Sequence, residues 1–74
     1  MKRSSAYIEQ ETSCIAKRVL SAADIVLLSE DTNLSEFTVS MIVKGKKMAS
    51  PDVIGVIMDK VREKIAEFDD ALSG

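Results

Sequence analysis

The stretch Leu28-Ser29-Glu30-Asp31-Thr32-Asn33-Leu34-Ser35-Glu36-Phe37-Thr38-Val39-Ser40-Met41-Ile42-Val43-Lys44-Gly45-Lys46-Lys47 decides how this chain folds. It reads as the end of one helix, a tight turn at Asn33 and a second short helix stopped by Gly45. Ser35 is placed to cap the second helix, and the Glu36 carboxylate suits its positive first turn. Val39, Ile42 and Val43 fall on one side of that helix as its buried face. At the far end Gly45 supplies a left-handed conformation, while Lys44, Lys46 and Lys47 meet the negative end of the helix dipole. Two short helices joined by a three- or four-residue turn make a helix-turn-helix.

Upstream, Ser21 followed by Asp24 three residues later forms a capping-box-like start, with Asp in place of the usual Glu. Ala22, Ala23, Ile25, Val26, Leu27 and Leu28 then make a strongly apolar run. Such a run also suits a buried strand, and Phe37 to Val43, where β-branched residues alternate with polar ones, would be its partner. Periodicity alone does not separate the two readings. The cap and the lack of a second clear strand favour helix.

A first helix is expected to run from a cap at Ser4 or Ser5 to Leu20, with Ile8, Thr12, Ile15, Ala16, Val19 and Leu20 along one face. Glu9 and Glu11 in its first half and Lys17 and Arg18 in its last suit the dipole at both ends. Cys14 lies beside the apolar stripe and reads as a small buried or half-buried apolar residue, since the chain has no His to activate a thiol.

Downstream, Ser50-Pro51-Asp52 is an N-cap, a proline at the first helical position and an acid in the first turn. The helix it opens extends to about Leu72, carrying Ile54, Ile57, Met58, Val61, Ile65, Phe68 and Leu72 on one side. That length, on the order of 30 Å, exceeds what a core of this size requires. Its far end, Ile65, Phe68 and Leu72, is expected to pack on a partner subunit. Asp69-Asp70 reads as a solvated helix end.

Seventy-four residues make one small domain, a single unit over 1–74. Such a chain buries only about 60% of the surface its unfolded form exposes, so its stability depends on good helix packing or on oligomerisation. One Cys permits no internal disulfide, and one Cys with no His gives no conventional zinc site. No Gly-rich phosphate loop, CxxC pair or pocketed carboxylate pair is present, so no enzymatic activity, cofactor or metal is expected. No apolar run approaches the ~20 residues of a membrane span and no signal-peptide pattern opens the chain, so a soluble, cytoplasmic protein is expected. The net charge of −2, with twelve acids against ten bases, leaves local charge distribution to decide whether an anionic partner is bound.

The segment from Leu34 to Val53 resembles the recognition-helix region of helix-turn-helix DNA-binding regulators of the LacI-type and lambda-repressor-like families. The resemblance rests on Leu34-Ser35, two variable residues Glu36-Phe37, then Thr38-Val39-Ser40, a helix ending at Gly45, and the helix-opening Ser50-Pro51. It covers about a third of the chain. It implies that Leu34, Val39 and Val43 are core, that Ser35, Thr38, Ser40 and Lys44 approach phosphates, and that Glu36, Phe37 and Met41 face base edges. Ser and Thr hydroxyls at a helix N-terminus are natural phosphate donors, and Lys44, Lys46 and Lys47 add local positive charge. Glu accepts from cytosine, and Phe contacts a thymine methyl. The chain departs from the family pattern in three ways. Asn33 replaces the turn glycine, Glu30, Asp31 and Glu36 bring negative charge close by, and the reading helix lacks Arg, Gln and Asn.

The expected architecture is therefore all-α, with four helices at roughly 5–20, 21–32, 35–45 and 51–72 and a helix-turn-helix at about 21–45. The expected function is a small DNA-binding transcriptional regulator, repressor-like, that sets its second short helix into the major groove of double-stranded DNA as a homodimer. The alternative is an acidic helical protein-interaction module, such as an antitoxin-like partner, an inhibitor or a phage accessory protein, that does not bind DNA.

Overall fold

Four local signals place most of the helix boundaries. The Ser21 hydroxyl accepts from the Asp24 backbone N–H at 3.3 Å while the Asp24 carboxylate accepts from the Ser21 N–H at 2.9 Å, a complete capping box. Asn33 takes the left-handed conformation (φ 60°), and the Leu34 N–H returns to the Ser29 carbonyl at 3.1 Å. The Ser35 hydroxyl accepts from the Thr38 N–H at 3.1 Å, and Ser50 from the Val53 N–H at 3.4 Å. The computed structural model describes residues 5–73 and, among them, four helices: α1 (Gln10–Val19), α2 (Ala22–Thr32), α3 (Glu36–Val43) and α4 (Pro51–Ser73). The small all-α domain with a long last helix is as the sequence predicts, and both candidate strands, 25–28 and 37–43, are helical.

The first helix differs from expectation. It begins at Gln10 rather than near residue 5, and its N-cap, Glu9, makes no side-chain capping bond. Ser5 caps no helix, because residues 5–9 lie outside any helix; Ser4 lies outside the described residues. The cause is a long-range pairing: Ala6 and Ala49 exchange two backbone hydrogen bonds of 2.9 Å as an isolated antiparallel bridge. Ile8, expected on the helix, instead anchors this extended segment in the core. Within α1, Ala16 is buried and Thr12, Val19 and Leu20 are half-buried, as the expected face requires, but Ser13 also turns inward while Ile15 and Cys14 are exposed, contrary to expectation. Glu11 in the first turn and Lys17 and Arg18 in the last match the dipole as expected.

The core gathers Leu28 from α2, Val39, Ile42 and Val43 from α3, and Ile57 and Val61 from α4, around Ala16 of α1. Fully burying each such aliphatic side chain contributes roughly 1.5–3 kcal/mol. α3 therefore packs on α2 and α1, held from one side by three of its eight residues. The molecule measures 45 × 21 × 21 Å, the long dimension far exceeding the other two. Along α4, Ile57 and Val61 are buried, Ile54 and Met58 are half-buried, and Ile65, Phe68 and Leu72 are exposed.

Candidate functional site

The exposed side of α3 is the surface that the fold presents most deliberately. An eight-residue helix is too short to be stable by itself, so its two ends must be fixed. At the N-terminus, Ser35 caps the Thr38 N–H and also donates its hydroxyl proton to Thr38 Oγ1 at 2.8 Å. That leaves Thr38, not Ser35, with a hydroxyl proton to offer outward. At the C-terminus, the Gly45 N–H reaches the Ile42 carbonyl at 3.0 Å and the Lys46 N–H reaches that of Met41 at 2.9 Å, with Gly45 at φ 76°. This Schellman pattern closes the helix. The Ser13 hydroxyl of α1 then donates to the Val43 carbonyl at 2.6 Å in a buried bond.

With Val39, Ile42 and Val43 inward, the opposite side carries Phe37, Ser40, Met41 and Lys44, while Glu36 is exposed at the first position of the helix. Phe37 is 74% exposed, an unusual position for a phenyl ring. Glu36 and Lys44 are exposed, Ser40 and Met41 half-buried. Ser35, Lys46 and Lys47 are exposed and Thr38 is half-buried, so all nine residues of the expected DNA-binding set lie on or beside α3. Leu34 is half-buried against the core rather than inside it.

Charge is sorted across the molecule. The basic residues of α4 are paired: Lys64 with Asp24 at 3.4 Å, Lys60 with Asp24 at 4.0 Å, and Arg62 with Asp59 at 3.0 Å. Among the described residues, Lys17, Arg18, Lys44, Lys46 and Lys47 enter no ion pair; nor do Glu30, Asp31 and Glu36. Positive charge free of partners thus surrounds the C-terminal end of α3, and negative charge its N-terminal end. Asp24 itself is buried beneath α4. The Ser21 backbone N–H, with help from the Ser21 hydroxyl and the Lys64 ammonium, holds its carboxyl below the ordinary value of 3.8 against the opposing effect of burial.

Ile65, Phe68 and Leu72 are exposed on the end of α4 beyond the core, 38%, 53% and 86% respectively. Among the described residues, no cluster of three or more His, Cys, Asp or Glu is arranged to hold a metal ion. No helix there is long and apolar enough to cross a membrane.

One residue beside this surface was not legible in the sequence. Lys17 of α1 lines the same clefts as Lys44, although 27 positions separate them. Only the packing of α1 against the end of α3 brings them together. No family model, curated protein or solved structure matches the chain.

Proposed function

We propose that this protein is a small helix-turn-helix regulator that binds duplex DNA through α3. The observation that carries this reading is the contrast between the two sides of α3. Three apolar residues fix it to the core, while Phe37, Ser40, Met41 and Lys44 face outward beside lysines that have no acidic partner. A helix supported from behind and exposed along its length is the shape that enters a major groove. Phe37 and Met41 would meet thymine methyl groups and Glu36 a cytosine amino group. Thr38, Ser40, Lys44, Lys46 and Lys47 would meet phosphates, with Ser35 contributing through its backbone N–H.

Dimerisation belongs to the same proposal. Ile65, Phe68 and Leu72 continue the helical stripe of Ile57 and Val61 beyond the core, and a second copy placed there would cover them. Two copies would present paired α3 helices to half-sites about one DNA turn apart. Selection of bound duplexes from a random pool at low salt tests the reading. An enriched inverted repeat supports it; recovery of the unselected pool argues against sequence-specific recognition.

A second reading has its own support. Glu30, Asp31 and Glu36 are exposed, Glu36 directly preceding the exposed Phe37, and an exposed aromatic ring beside an acid also suits a basic protein partner. Under that reading Phe37→Ala abolishes protein binding and duplexes are not bound at all.

A further inference from the structure

Lys17 and Lys44 come from the last turn of α1 and the C-terminal cap of α3, and both line two adjoining clefts. The larger, about 330 Å³, is bounded also by Gln10, Cys14 and Gly45; the smaller, about 130 Å³, includes Ser40. No acidic side chain lines either. On the α2–α4 side, by contrast, the corresponding cleft mixes Asp31, Asp59 and Glu63 with Lys60.

Taken singly, each lysine suits the dipole of its own helix end. That does not explain why two such ends converge without a carboxylate between them. Several carbonyls near these helix ends already have partners: that of Val43 is met by Ser13, of Ile42 by Gly45, of Met41 by Lys46 and of Ala16 by Leu20. Two exposed lysines without an acidic partner therefore border the same clefts, with Ser40 and Gln10 also on the lining. We infer that the Lys17–Lys44 cleft is a binding site for a phosphodiester group of the DNA backbone, so that α1 takes part in docking and not α3 alone. This rests on the DNA-binding reading and adds to it a contact from outside the helix-turn-helix. It orients the complex: the C-terminal end of α3, with Lys44 and the neighbouring Lys17 of α1, lies against a phosphate strand.

The test compares wild type, Lys17→Glu, Lys17→Gln and Arg62→Glu for binding to a fluorescein-labelled duplex over a series of salt concentrations. Arg62→Glu changes net charge by the same amount as Lys17→Glu but at an α4 position remote from the cleft. Lys17→Glu is expected to weaken binding roughly tenfold or more, and Lys17→Gln to lessen the slope of log affinity against log salt by about one. Arg62→Glu is expected to change affinity less than about twofold. Cys14, which lines the same cleft and is the chain's sole thiol, gives a second readout. Saturating duplex should slow its alkylation by iodoacetamide in the wild type. Wild-type duplex binding with unchanged affinity and slope in both Lys17 variants overturns the inference and leaves the α3 reading standing. Absence of wild-type binding to any duplex overturns both.

Discussion

The hydroxyl of Ser13 donates to the carbonyl of Val43 at 2.6 Å, a buried bond between residues thirty positions apart. It ties α1 to the C-terminal end of α3 and satisfies a carbonyl that the ending helix leaves without an internal partner. It lies beside the clefts that Lys17 and Lys44 line, where Ser13 and Val43 are themselves lining residues. Ser13→Ala strands that carbonyl in the interior, where an unpaired group costs about 1–3 kcal/mol. Urea denaturation should show a loss in that range, with unchanged m-value. A loss below about 0.5 kcal/mol would mean that the bond does not secure α1.

Asp24 joins three elements, since it closes the capping box of α2 and receives Lys60 and Lys64 from α4. Asp24→Asn should destabilise the protein by about 1 kcal/mol at neutral pH, the usual worth of a cap. The pH dependence has a definite sign. The carboxyl's folded value lies below its ordinary 3.8, so the unfolded chain binds the proton more readily. Its contribution is therefore fully present above that ordinary value and is lost as the pH falls through the lower folded one. Denaturation curves of wild type and Asp24→Asn should begin to converge as the pH falls below 3.8 and meet only below the lower folded value.

Two glycines should respond oppositely to the same change. Gly45 holds φ 76°, where a Cβ is disfavoured by the backbone even though its nearest neighbours, Ser13 Oγ at 3.5 Å and the Ile8 carbonyl at 3.6 Å, leave it room. Gly45→Ala should cost roughly 1–2 kcal/mol. Gly55 lies within α4 with nothing within 4 Å of an added Cβ. Gly55→Ala should stabilise by roughly 0.8–1 kcal/mol. Thermal melts of the two variants measure both effects.

The exposed end of α4 should control association. Phe68→Asp places a charge in the middle of the stripe formed by Ile65, Phe68 and Leu72. Sedimentation of the wild type is expected to show a dimer that dissociates on dilution, and the variant a monomer of unchanged helicity. A wild type monomeric at every concentration would remove the dimer from the proposal.

What could be read from the sequence was whatever is determined within a few residues. The Ser21–Asp24 box, the left-handed Asn33, the Ser35 and Ser50 caps and the stop at Gly45 are all local, and each stands where the residues indicate. The start of α1 was not legible because Ala49, forty-three positions away, holds Ala6 in extended form. Nothing in the sequence marks Ser13 for burial, which makes sense only once the Val43 carbonyl stands beside it. The α3 residues of the candidate surface were visible as a cluster in sequence. Lys17 was not, because its proximity to Lys44 comes from the packing of helices rather than from spacing.

The central claim is that α3 and its surrounding lysines bind the DNA backbone and read its groove. The most direct measurement is the equilibrium affinity for labelled duplex across a salt series, for wild type and Lys44→Ala. Low-salt binding is expected, with log affinity falling with log salt at a slope of roughly −2 to −4 per protomer, and a slope shallower by about one for the variant. No binding to any duplex at tens of micromolar protein in low salt would contradict it.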